Sequence, residues 1–292
     1  MFARVILPVA LAALLAPAGL PSQRTILVTV LDQSGAPVRN VAPADLAVQE
    51  DQTTREVVSV TPATEPLTIA LLVDNTKPTM GKNAPTQELR AALNTFVKTI
   101  QTASPESQIG IWEFAGAGVM TQKPTVKTDD LTKKINRMFP AQQPGGVMLE
   151  ALVDASKELS KKGIGPRRVI VSVSFNSPEV SEVDPREVAL TMRKAGVTYW
   201  ALSIVGNGDS STQSGGGSAS RELIMNNITQ ASGGMRLSGV TAISLEAQAK
   251  SVADALLSQY LVTYARPDES AATDIRAVSK KGQKALTSPW VQ

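Results

Sequence analysis

The chain has 292 residues, 42% of them hydrophobic, with 29 basic residues against 26 acidic ones and neither cysteine nor histidine. That is enough apolar content for a real core, and too small a charge excess for a nucleic-acid footprint. Disulfides, zinc-thiolate sites, lipobox lipidation and thiol, Ser-His-Asp or Cys-His catalysis are all excluded, because the residues they need are missing.

Met1-Phe2-Ala3-Arg4 places one positive charge ahead of an apolar run from Val5 to Ala16, and Ala16-Pro17-Ala18 offers small residues for a signal peptidase. Residues 1–23 are expected to be an export signal. A retained anchor is the alternative, disfavoured by the short run and by Pro8.

Thr25 to Leu31 alternates in the manner of a strand, Asp32-Gln33-Ser34-Gly35 makes a turn, and Leu46 to Gln49 and Val57 to Val60 are further short strands. So small a β-unit buries little alone. Gln259 to Tyr264 and Asp274 to Val278 are also strand-like, with Gly282 in a turn. Residues 24–64 and 258–292 are therefore expected to pair into one small β-domain around an α/β domain at 65–257.

In that middle section strands alternate with helices. The first strand, Leu67 to Val73, ends at Asp74-Asn75-Thr76-Lys77-Pro78-Thr79-Met80-Gly81. Thr86 to Gln101 places Leu89, Leu93, Phe96, Val97 and Ile100 on one helical face, and Gln108 to Phe114 is a strand. Thr128-Asp129-Asp130 opens a helix with Thr128 as cap and two acids suited to the dipole. Met148 to Leu159 is a helix and Val169 to Val173 a buried strand. Asp184-Pro185-Arg186-Glu187 is a capping box for a helix running to Ala195. Tyr199 to Val205 is a strand, Gly206 to Ser218 a flexible stretch, and Arg221 to Ser232 a helix. A short strand at Gly234 to Leu237 and a helix from Leu245 to Gln259 follow. The pattern predicts a doubly wound, mostly parallel α/β sheet covered on both faces.

Catalytic patterns are scarce. No Ser-x-x-Lys spacing occurs, and Gly81-Lys82 lacks a glycine five residues upstream and a following Ser or Thr, so it is no phosphate-binding loop. Lys161-Lys162, Arg167-Arg168 and Lys280-Lys281 are separated doublets without interleaved aromatics, which predicts solvated surface and no nucleic-acid partner. No enzyme is predicted.

A hydrophobic strand ending in Asp-x-Thr, followed by an amphipathic helix and four or five more such units, resembles a von Willebrand factor A-type (VWA) domain. Val28 to Val38 with Asp45 to Asp51 is similar to the opening segment of the secreted bacterial VWFA-related family. Ser232-Gly233-Gly234 and Ser258 to Tyr264 resemble its closing segments. The resemblance spans nearly the whole chain after residue 23 and implies a Rossmann-like fold with a metal-ion-dependent adhesion site. In that site Asp-x-Ser-x-Ser, a middle-loop threonine and an aspartate after the central strand hold Mg2+, and a partner's acidic side chain completes the shell.

Only part of that set matches. Asp74 stands at the aspartate and Thr76 at the first serine, but Pro78 replaces the second serine, Val147 the threonine and Phe175 the second aspartate. Three lost oxygen positions predict no cofactor, or at most weak Mg2+ binding, because Mg2+ demands a nearly complete oxygen shell. Thr79, Ser174 or Asn176 in a shifted register is the remaining route to a rescued site. Without metal, Asp74 is expected to hold its loop by accepting hydrogen bonds from backbone N–H groups or Thr76.

The resemblance thus implies an exported scaffold for an unidentified protein partner, touching the membrane only through its signal. Candidate contacts are Asn75, Lys77, Thr79, Val147, Phe175 and Asn176 on the loops at the carboxyl edge of the sheet. Phe175 either projects to a partner or plugs the old pocket. A metal-dependent module binding an acidic residue through Asp74 and Thr76 is the alternative.

Overall fold

The computed structural model describes residues 22–76, 85–143, 145–161, 163–175, 177–204, 216–266 and 274–288. Residues 1–21 of the expected export signal, Lys77, Thr79 and Asn176 lie outside them, as do residues 206–215 of the predicted flexible stretch, whereas Ser22 and Gln23, expected at the end of that signal, already belong to the first strand.

The strands are β1 (Ser22–Leu31), β2 (Leu46–Glu50), β3 (Thr53–Arg55), β4 (Val57–Pro62), β5 (Leu67–Val73), β6 (Gln108–Glu113), β7 (Val119–Thr125), β8 (Arg167–Ser174), β9 (Val197–Ile204), β10 (Arg236–Gly239), β11 (Tyr260–Arg266), β12 (Ile275–Ser279) and β13 (Lys284–Ser288). The helices are α1 (Thr86–Ala103), α2 (Thr128–Asn136), α3 (Met148–Leu159), α4 (Pro185–Ala195), α5 (Gly216–Ala231) and α6 (Leu245–Leu257).

Six strands form the main sheet in the order β10-β9-β8-β5-β6-β7, parallel except for β7. Alternation along β5 sorts its side chains to two cores. Ile69, Leu71 and Val73 join Leu93, Phe96 and Val97 of α1 with Val252 and Leu256 of α6. Ala70 and Leu72 join Leu149 and Leu152 of α3 with Val188 and Met192 of α4. Every residue of β5 is buried, the signature of a parallel strand with helices on both faces.

The chain ends form the second unit. β13-β1-β11-β4 is one antiparallel sheet and β12-β2-β3 another, and they enclose Ile26, Val28, Val30, Leu46, Val48, Val262 and Tyr264. The expected single β-unit is thus two sheets facing one another. Arg167, expected from its doublet to be solvated, is buried at the start of β8 and ties this unit to the main sheet. Its guanidinium donates to the carbonyls of Ala63 (3.0 Å), Glu65 (2.6 Å) and Leu256 (2.7 Å) and to Gln259 Oε1 (3.0 Å). Burial pulls its pKa down to about 10, so it stays cationic at neutral pH.

Some local expectations need correction. β7 was not anticipated: Val119-Met120-Thr121-Gln122-Lys123-Pro124-Thr125 has little apolar alternation and contains a proline, which only an edge strand tolerates. Thr128 is the first residue of α2 and not its cap; Lys127 holds that place without a side-chain cap bond. Asp184 does cap α4, but through Arg186 N at 2.7 Å, with no reciprocal bond from Glu187. Residues 216–218, expected in the flexible stretch, already belong to α5.

Candidate functional site at the carboxyl edge of the sheet

The chain leaves β5 for β6 on one side and returns through α3 to β8 on the other. The crevice between the carboxyl ends of β5 and β8 is therefore the topological switch point of the sheet, where ligands of open α/β folds collect. Asp74 and Phe175 sit there side by side, and Asp74 N–H donates to Val173 O at 2.9 Å.

Asp74 is 1% exposed, and both carboxylate oxygens are engaged. Oδ1 accepts from Thr76 N at 3.1 Å and Thr76 Oγ1 at 2.6 Å. Oδ2 accepts from Phe175 N at 2.9 Å and Ser177 Oγ at 2.7 Å. Buried charge is tolerated when its lone pairs meet donors, and four donors come close to filling this one's capacity. Asp74 thus joins the loop after β5 to the loop after β8.

Ser177 is held in turn by the buried Arg221 of α5, whose Nη2 donates to Ser177 O at 2.6 Å. Two residues further, Glu179 is 6% exposed and accepts from Met148 N, at the start of α3, at 3.1 Å and from Ser181 N at 3.2 Å and Ser181 Oγ. Its Oε2 has no hydrogen-bond partner among the described residues. Burial raises its pKa to about 7, with the Ser181 bonds and the Arg221 charge pulling the other way.

Asn75 braces the neighbouring strand. Its Nδ2 donates to Glu113 Oε2 at 2.7 Å, its Oδ1 accepts from Ala115 N at 3.0 Å, and its carbonyl accepts from Ala141 N at 2.7 Å. Val147, at the N-cap of α3, packs against the core shared with α3 and α4. Phe175 is half-buried against the α1 side of the core. Its ring, with Leu89, Met138, Phe139 and Pro140, lines a depression over Asp74 of about 20 Å³, room for about one water molecule.

Ser174, offered for a shifted register, has no hydrogen bond to Asp74 among the described residues. Its Oγ contacts Leu202 O (3.4 Å) and Met225 Sδ (3.8 Å), on the side of the sheet where Met225 packs with α3 and α4. Among the described residues no group of three or more acidic side chains is placed to hold a metal ion. Among the described residues, the oxygen groups bonded together around Asp74 are its own carboxylate and the hydroxyls of Thr76 and Ser177.

Ser177, Glu179, Arg221 and Phe139 were not singled out by sequence. Ser177 lies three residues beyond the end of β8, off any family position, and Arg221 reads from sequence as an ordinary helix residue. Phe139, 67% exposed beside the depression with Arg90 stacked over its ring at 4.7 Å, is the one with a sequence signal: an aromatic outside any apolar period.

The fold is of the Rossmann-like von Willebrand factor A type. No protein-family model matches the chain, and no curated protein matches it by sequence. Among solved structures, proximal thread matrix protein 1 from the mussel byssus aligns over 76% of this chain and 50% of its own, at 15% identity and TM-score 0.53. A further structure of that protein, described as having a zinc-occupied MIDAS motif, aligns over the same shares at 15% identity and TM-score 0.52. A von Willebrand factor type A protein from Catenulispora acidiphila aligns over 94% of this chain and 74% of its own at 8% identity and TM-score 0.49. The chain spans about half the length of the mussel structures, and the likeness at these identities is one of fold.

Proposed function

We propose that this chain is an exported, non-enzymatic interaction module of the VWA type, whose partner contact at the carboxyl edge of the sheet dispenses with a bridging cation. VWA-fold neighbours are in general interaction modules, and that is the coarse part of the reading. The finer part rests on one observation: the Asp74 carboxylate is spent on Thr76, Phe175 and Ser177. Seating Mg2+ there would mean breaking several of those bonds for a shell with one carboxylate, and Mg2+ gives up water reluctantly.

Phe175 and Phe139 line the depression, and the exposed apolar groups offered at this edge are Phe139, 67% exposed, and Val180, 53% exposed. Aromatic groups set in a polar surround are the commonest anchors of protein interfaces. Export rests on the segment before residue 24. Among the described residues no helix is long and apolar enough to cross a membrane.

A metal-dependent reading has one observation in its favour, the convergence of the Thr76 and Ser177 hydroxyls on Asp74. Titration calorimetry with Mg2+, Mn2+ and Ca2+ decides. The expected result is no saturable heat at millimolar cation. Saturable heat that vanishes in Asp74→Ala would establish the metal-dependent reading instead.

A further inference from the structure

A cleft of about 1120 Å³ lies between α5 and β10 on one side and strands β12 and β13 on the other, and no residue lines both it and the Asp74 depression. β10 is three strands from β5, or roughly 14 Å at ordinary strand spacing. The cleft is cationic: Arg24, Arg193, Arg236, Arg276 and Lys284 line it, with Asp274 as the acid among the lining residues. Arg276 is paired with Asp274 at 2.8 Å and Arg236 with Glu222. Arg24, Arg193 and Lys284 have no carboxylate within ion-pair distance among the described residues. In a chain whose basic and acidic residues nearly balance, this is a local concentration of charge.

β10 is also the terminal strand of its sheet. Ala201 N donates to Met235 O at 3.1 Å, and Arg236 and Ser238 lie opposite Ala201 and Ser203 in parallel register. Parallel pairing then turns residues 235, 237 and 239 toward β9, and it turns the N–H and C=O groups of Arg236 and Ser238 outward. These are the two β10 residues that line the cleft. Among the described residues, no hydrogen bond reaches their four outward backbone groups. An open strand edge of this kind is a template for an incoming strand.

We propose that the cleft binds an extended, acidic polypeptide segment of a partner. The segment would add to β10 through the backbone of Arg236 and Ser238 while its carboxylates meet Arg24, Arg193 and Lys284. Backbone pairing would provide affinity independent of side chains, and alternate side chains would carry the charge into the cleft.

The test is fluorescence anisotropy on the full chain with labelled eight-residue peptides alternating Glu and Val. The acidic peptide is expected to bind saturably, and its Lys-Val counterpart is not. N-methylation of alternate amides in the acidic peptide should weaken binding at least about tenfold, since it removes the strand donors. Arg193→Glu with Lys284→Glu, on the periphery of the fold, should weaken it at least about tenfold while circular dichroism stays unchanged. Asp74→Asn should leave it unaltered, so that failure here is separable from failure at the carboxyl-edge site. Absence of saturable binding, or equal binding of the N-methylated peptide, would overturn the proposal. So would tighter binding of oligogalacturonate than of the acidic peptide, which would mark the cleft as a polyanion site.

Discussion

Ser177 donates its hydroxyl to Asp74 Oδ2 at 2.7 Å across 103 positions of chain, joining two loops that have no sequence proximity. Asp74 is thereby an internal acceptor for both sides of the switch point. Replacing it with alanine strands the buried Thr76 and Ser177 hydroxyls and two backbone N–H groups. Each unsatisfied group costs about 1–3 kcal/mol before relaxation, so a loss of about 3 kcal/mol in urea unfolding is expected. The loss should be the same in EDTA and in 5 mM Mg2+ (about that concentration suffices).

Glu179 gives the fold a pH dependence whose sign is fixed by its raised pKa. The folded protein holds the proton up to about pH 7 while the unfolded chain releases it near 4.5. Its contribution is complete below the lower value and falls as pH rises through the upper one, by at most about 3 kcal/mol. Glu179→Gln is expected to flatten the decline in stability between pH 5 and 8 (about that window), read by chemical denaturation at several pH values.

Arg167 satisfies four acceptors drawn from the segment before β5 and from the end of α6. Lysine cannot reproduce that fork of donors, so Arg167→Lys is expected to cost about 2–3 kcal/mol. Limited proteolysis should show faster cutting near Ala63 to Pro66, where the two units join.

Gly233 adopts φ +76°, and a Cβ there would lie 2.5 Å from Ser288 N and 2.6 Å from the carbonyl carbon of Thr287. Gly233→Ala meets both an unfavourable backbone region and a backbone obstacle that cannot swing away. A loss of more than about 2 kcal/mol is expected in thermal or denaturant unfolding.

Phe139→Ser separates interface from stability. The ring is mostly exposed, so the stability change should stay within about 1 kcal/mol. Retention of a partner from envelope extract should fall sharply. An unchanged yield would remove Phe139 from the contact surface.

The doubly wound core was readable because β5, β8 and β9 are rich in apolar and β-branched residues and the helices between them keep a helical period, signals that burial on both faces imposes directly. Asp74 was readable because it ends such a run. Its partners were not: strand-end position marks one residue, while Ser177 and Arg221 reach the site through loop geometry and a helix docked from elsewhere. β7 and β3 escaped for a different reason. Both lie at sheet edges with most side chains half-exposed or exposed, where no apolar period is required. Phe175 left two readings open from sequence, and it lies half-buried against the core while its backbone serves Asp74.

The first described strand, β1, has β11 on one side and β13 on the other. During synthesis or passage through a translocation channel it emerges more than 200 positions ahead of either neighbour, while all of the α/β unit is made in between. The α/β layer can therefore condense first, with β1 waiting as an unpaired apolar ribbon until the tail arrives to clasp it. A chain halted before Tyr260 would present that ribbon to chaperones or to its own copies, so β11 and β13 act as the latch that retires an aggregation hazard.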